Sequence, residues 1–222
     1  KPLLTRNQLW LNTRNFLGLH RLTATERHVV PFSIDWNKDG KNDLILGSAS
    51  GRLYAFENRG EKEPDWWPLE QKVFAPNQRR YSAPTLGDLD GDGDLDLISG
   101  NRQGRLELME NRGTSEKPEW ILRDVNLAQI DVGSYSVPRL NDVDGDGDMD
   151  LFVGNSRGLV IFYENQGSKE RTRFVIRSTR FAGVKTPGHA VPSFFKWNED
   201  EQMDLVAGSR DGFLGLHTSH SA

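Results

Sequence analysis

GDLDGDGDLDLISG, Gly87 to Gly100, sets five aspartates and four glycines in fourteen residues and then turns apolar. The stretch has siblings. Residues 35–43 read DWNKDGKND, residues 88–96 read DLDGDGDLD and residues 142–150 read DVDGDGDMD, so all three fit D-x-[DN]-x-D-G-x-x-D. Each follows a proline at the same distance, and Pro31, Pro84, Pro138 and Pro192 recur at spacings of 53, 54 and 54 residues. A chain that repeats at such a period is built from stacked units, so the repeat is the first thing to read.

Within each unit the apolar run after the loop is short and partly β-branched, as in Leu44 to Leu46 or Leu151 to Val153. It ends at Gly47, Gly100, Gly154 or Gly208, the pattern of a buried strand stopped by a turn. An alternating run such as RLYAFEN or LVIFYEN then supplies a hairpin partner. WWPLEQKVF, EWILRDVNL and RFVIRSTRF supply a further strand, and the segment around each proline a fourth. No segment sustains helical periodicity.

Tandem four-stranded units predict an all-β fold, a β-propeller of antiparallel blades whose ring closure hides sheet edges. An open β-solenoid is the runner-up, but its coils usually take fewer residues. The expected organisation is one propeller domain over residues 1–222, with repeats at 29–80, 81–134 and 135–188 and an incomplete fourth at 189–222. RNFLGLHRLTA, near the start, matches PEWILRDVNLA and TRFVIRSTRFA. Residues 1–28 therefore read as the outer strands of a blade that lacks its beginning, while the last repeat lacks its end. Together they close a four-bladed ring; the alternative is a fragment of a larger propeller.

Oxygen ligands at loop positions 1, 3 and 5, a glycine at 6 and a backbone carbonyl at 7 are how a short loop wraps a calcium ion. Carboxylates so crowded repel one another unless a cation sits among them. The loops are not EF-hands: position 12 holds Leu46, Ser99 or Val153 rather than a bidentate glutamate, and Asp43, Asp96 or Asp150 stands at position 9 instead. Clustered oxygens favour calcium over magnesium, and the absence of Cys and His from the motif disfavours zinc. The fourth copy, KWNEDEQMD at residues 196–204, replaces the first aspartate with Lys196 and the glycine with Glu201, so it is expected to hold no ion, with Lys196 paired to Asp200 or Asp204 in its place. The first loop, with Asn37 at position 3 and Lys41 at position 7, is expected to bind more weakly than the others.

These loops, with DLILG, DLISG, DLFVG and DLVAG and the following G-x-x-x-x-x-EN-x-G, resemble the FG-GAP or VCBS repeats of integrin-α-like propellers over nearly the whole chain. The resemblance implies calcium ligands at Asp35, Asn37, Asp39, Lys41 (carbonyl) and Asp43. It implies the same at Asp88, Asp90, Asp92, Asp94 (carbonyl) and Asp96, and at Asp142, Asp144, Asp146, Asp148 (carbonyl) and Asp150. That family occurs in integrin heads, secreted bacterial proteins, fungal lectins and some polysaccharide lyases, with propellers that are usually seven-bladed.

Composition narrows the function. With 28 basic and 32 acidic residues the net charge is -4, which gives no ground for a nucleic-acid or membrane-surface partner, and no apolar run is long enough for a membrane helix. There is no cysteine, hence neither disulfide nor thiolate chemistry. No nucleophile, base and orienter can be grouped, so the chain is not expected to be an enzyme. His20, His28, His189, His217 and His220 read as following no repeat. The expected function is a calcium-stabilised scaffold for protein interaction, or a subunit of an extracellular or periplasmic assembly, with a glycan-binding module as the alternative. For the glycan, Trp36 and Trp197 at loop position 2 are the candidates, whereas Trp67 and Trp120, which recur in phase, read as packing.

Overall fold

The structure, a computed structural model, describes residues 28–68, 81–115, 117–168, 171–196 and 203–217. Four antiparallel sheets follow one another around a ring. The first holds β1 (Val30–Ile34), β2 (Asp43–Gly47), β3 (Leu53–Asn58) and β4 (Trp66–Pro68), and the second β5 (Ser82–Gly87), β6 (Asp96–Asn101), β7 (Leu106–Asn111) and β8 (Trp120–Asp124). The third holds β9 (Val137–Asn141), β10 (Asp150–Gly154), β11 (Val160–Asn165) and β12 (Phe174–Ser178), and the last β13 (Val191–Phe195), β14 (Asp204–Gly208) and β15 (Leu214–His217). This is a four-bladed β-propeller. Among the described residues the only helical pieces are two 3-10 turns, Leu127–Gln129 and Phe181–Gly183, which occupy the same place in successive repeats.

Strands pair in sequence order within each sheet, so the proline-bearing strands β1, β5, β9 and β13 lie along the axis and touch in succession. Middle strands are covered on both faces by neighbouring blades. That is why β6 and β10 are buried along their whole length and read as near-continuous apolar runs.

The two sequence markers of the repeat meet in space. A Cβ on Gly100 would overlap the Ser136 carbonyl and come within 2.8 Å of Pro138 Cδ, and Gly47 stands in the same relation to Ser82 and Pro84, and Gly154 to Ala190 and Pro192. None of these three glycines has a positive φ. They are glycines because the next blade's backbone occupies the space of a side chain, a more specific reason than the stopping of a strand. Backbone hydrogen bonds cross the same seams: Ser82 N donates to Ser48 O at 2.9 Å, Ser136 N to Asn101 O at 3.1 Å and Ala190 N to Asn155 O at 2.9 Å. Gly208, the fourth equivalent, has only Val191 O within 4 Å, so no described residue of another blade packs there.

Along the axis, Val30, Ala83 and Val137 form an apolar layer with Val191 against it, all four being the residue before a repeat proline. One layer further in, Arg139 is almost wholly buried. Its guanidinium donates to Pro138 O at 2.8 Å, Pro84 O at 2.9 Å and Pro31 O at 3.2 Å, and lies 5.3 Å from the Phe32 ring centroid. One side chain thus ties the third blade to the first and second across the centre. Burial lowers its pKa to about 10, so it remains a cation at neutral pH.

Of the segment expected to complete the last blade, residues 1–28, all but His28 lies outside the described residues, as do residues 69–80 of the first outer strand and residues 197–202 of the fourth loop.

Candidate metal centres in the aspartate loops

All three intact loops join the first strand of a blade to the second, at one end of the ring. Their local structure follows from the Asp and Gly spacing. In loop two the Asp88 carboxylate accepts Gly91 N at 2.8 Å and Gly93 N at 3.1 Å; in loop three Asp142 accepts Gly145 N at 2.7 Å and Gly147 N at 3.0 Å. Those four glycines have φ between 75° and 91°, where a side chain would be strained. Each carboxylate thereby curls the chain around itself.

The curl brings the first, third and fifth positions together. Asp88, Asp90 and Asp92 each offer a carboxylate oxygen with all three within 4.8 Å of one another, and Asp142, Asp144 and Asp146 do the same. Burial, then the charges of Asp146 and Asp150, push Asp148 up to about 6, and burial raises Asp90, with the charges of Asp92, Glu110 and Asp88 adding to it. Asp148 Oδ1 is buried with no hydrogen-bond partner. An unpaired acceptor oxygen beside a three-carboxylate cluster fits a hard divalent cation.

The first loop folds a little differently. Asp35 accepts Asp39 N at 3.1 Å and Gly40 N at 2.8 Å, and Asn37 Oδ1 accepts Asp39 N at 3.1 Å. Where the other loops have a glycine at position 4, this one has Lys38 at a φ of 61°, its ammonium donating to Gly93 O of loop two at 2.7 Å. Lys41, at position 7, pairs with Glu61 at 3.2 Å. Asn in place of a carboxylate and two cations nearby lower the negative potential relative to loops two and three.

The ninth aspartates stand apart from both clusters and have a second task. Asp96 is buried and accepts Leu89 N at 3.1 Å and Asn111 N at 3.0 Å, tying the loop to the end of β7. Asp43 does the same with Trp36 N (3.3 Å) and Asn58 N (2.8 Å), and Asp150 with Val143 N (3.3 Å) and Asn165 N (2.8 Å). Burial pushes Asp96 up to about 7, offset in part by the two N–H bonds, and raises Asp43 and Asp150 for the same reason. Asp204, in the repeat whose loop has lost positions 1 and 6, is also buried at this place.

The EN-x-G motif completes the frame. Asn58, Asn111 and Asn165 give their N–H to the ninth aspartate and use Oδ1 to hold the turn to the outer strand, as when Asn111 accepts Gly113 N at 3.0 Å and Glu119 N at 2.9 Å. The preceding glutamates meet arginines: Glu57 pairs with Arg59, Glu110 with Arg112 and Arg123, Glu164 with Arg177.

Two readings of individual side chains change. Trp36 is half-buried against the cluster of Ile45, Leu86 and Leu97, while Trp197 lies outside the described residues. Trp120 packs on the same cluster, but its counterpart Trp67 is exposed, with Arg59 5.2 Å from its ring. Two of the histidines do follow the repeat. His28 and His189 occupy the place that Tyr81 and Tyr135 hold in the middle blades, three residues before the proline. The signal was in the sequence, hidden because the position keeps a planar ring and changes its identity.

Four blades of one pattern, the first three with an acidic turn between their two inner strands, define a tandem-repeat propeller of the kind commonly used as a protein-interaction scaffold. Comparison with protein families matches the FG-GAP-like repeat at residues 35–99 and 142–207, more than half of the chain. The chain belongs to that family. No curated protein matches it. Among the described residues no helix is long and apolar enough to cross a membrane.

Proposed function

We propose that the chain is a calcium-stabilised propeller scaffold, non-catalytic, that serves protein–protein interaction or forms a subunit of an extracellular or periplasmic assembly. The observation that carries the calcium is the pair of aspartate triplets within 4.8 Å, beside the buried, partnerless Asp148 Oδ1. Asp88, Asp90 and Asp92 with the Asp94 carbonyl would hold one ion, and Asp142, Asp144 and Asp146 with the Asp148 carbonyl a second. Asp35, Asn37 and Asp39 with the Lys41 carbonyl would hold a weaker third. Asp43, Asp96 and Asp150 border these sites from the strand side and complete the ligand sets. The loop of residues 196–204 would hold none.

A bound ion neutralises the triplet and staples two strands of one blade. It stabilises the fold by about 1 to 2 kcal/mol per site when free calcium is about ten times the dissociation constant. Loops of this class in extracellular modules bind at roughly 0.1 to 1 mM, a level met outside the cytosol, which supports export. The exposed edge of β15, where Leu214 is 69% exposed, supports the reading that residues 1–28 add the missing outer strands to the last blade.

Thermal unfolding in 5 mM calcium against excess chelator, with metal content measured on the dialysed protein, tests the proposal. A higher melting temperature in calcium and two to three ions per chain are expected. An unchanged melt with no bound ion would overturn it.

A further inference from the structure

At the end of the ring opposite the aspartate loops, the four repeats converge on one cavity. His28, Tyr81, Tyr135 and His189 each stand three residues before a repeat proline, and all four have left-handed backbone, with φ of 51°, 75°, 51° and 42°. That conformation costs a non-glycine residue on the order of 1 kcal/mol, and strain of this kind gathers where a site is built. The rings meet around the axis: Tyr81 and Tyr135 edge to face with centroids 5.2 Å apart, Tyr135 and His189 at 4.7 Å. With Val30, Val191, Ser209 and Arg210 they line a cavity of about 340 Å³.

The charges around this mouth are positive. Arg210 lines it, Arg102 lies 5.7 Å from the Tyr135 ring centroid, and no carboxylate is among the described lining residues. Asp211 reaches His189 electrostatically without lining the cavity. Further in, Arg139 makes hydrogen bonds only to carbonyls, so among the described residues its charge has no anion against it. Tyr81 is only 8% exposed. A cationic ligand would be repelled by Arg210. A wholly apolar ligand would make no use of Arg210 and the imidazoles. An anion carried on a ring meets both demands, because the tyrosines and valines offer an apolar wall and Arg210 offers a fork for two carboxylate oxygens.

We propose that the axial mouth binds a small ring-bearing carboxylate, its carboxylate on Arg210 and its ring against Tyr81 and Tyr135. The ring is that of a sugar acid or of an aromatic acid. The site is separate from the aspartate loops and does not depend on whether they hold calcium.

The test is an NMR titration of the imidazole signals of His28 and His189 in the full chain, using glucuronate, benzoate and their neutral counterparts glucose and benzyl alcohol. At least one acid should shift both signals saturably, with its neutral counterpart at least about tenfold weaker. Glucuronate alone would identify a sugar acid, benzoate alone an aromatic acid, and both the carboxylate on either ring. Arg210 is exposed, so Arg210→Gln should keep the ligand-free melting temperature and weaken the acid about tenfold or more. Failure of both acids to shift the signals, equal binding of acid and neutral counterpart, or undiminished affinity in the folded Arg210→Gln protein would each overturn the proposal. The comparison of acid with neutral ligand needs no variant and decides the matter if Arg210→Gln does not fold.

Discussion

The two ends of this ring are built from the same repeat and have diverged to different degrees. At the loop end, residues 88–96 and 142–150 are nearly identical, and each turn is closed by hydrogen bonds to its own first aspartate. At the axial mouth one position reads His, Tyr, Tyr, His, and the rings touch across blades. A turn that must fold by itself needs the same residues every time. A surface shared by four blades needs each blade to contribute once, so its members are free to differ.

Within the loop end, the contrast between ninth aspartates and the rest can be broken by substitution. Asp96→Ala leaves Leu89 N and Asn111 N without their buried acceptor and should cost about 3 kcal/mol or more even in chelator, and more again in calcium, by urea unfolding. A loss seen only in calcium would reduce Asp96 to a ligand. The seams offer the next test. Gly154→Ala, against the Ala190 carbonyl, should cost about 2 to 3 kcal/mol, whereas Gly208→Ala should stay within about 0.5 kcal/mol. Equal costs at the two positions would mean that a blade packs on Gly208 as well.

Asp92→Asn should remove about 1 to 2 kcal/mol of stability in calcium and nothing in chelator, where losing one of three crowded charges is neutral or favourable. The pH dependence should change sign with the ion. Without calcium, Asp96 at about 7 and Asp148 at about 6 bind protons more tightly folded than unfolded, so these groups stabilise the fold as pH falls from 8 toward 5. With calcium the ionised carboxylates are the ones held, and the same acidification should lower stability. Melting curves at pH 5 and pH 8, with and without chelator, read both slopes. The smallest effect is expected at Lys38→Gly, a gain of about 0.5 to 1 kcal/mol from relief of the positive φ, measurable as a raised midpoint in urea.

Much of this was legible in the residue order. The strands, the hairpins and the loop turns depend on neighbours within about ten residues, and their spacing exposed them. The function of Gly47, Gly100 and Gly154 was not legible, since a glycine at a strand end looks the same whether it turns the chain or makes room for another blade. Nor was Arg139, which breaks the repeat at its position and reads as a surface charge until three carbonyls close around it.

By itself the sequence determined the blade: its proline, its acidic turn, its strand order and its Asn-Gly clamp, because each is a local geometry that one repeat satisfies alone. Tertiary structure decided what lies between blades. The glycine-to-proline seam, the guanidinium across the axis and the ring of tyrosines and imidazoles join residues of different repeats. Their meeting follows from ring closure and packing rather than from any pattern along the chain.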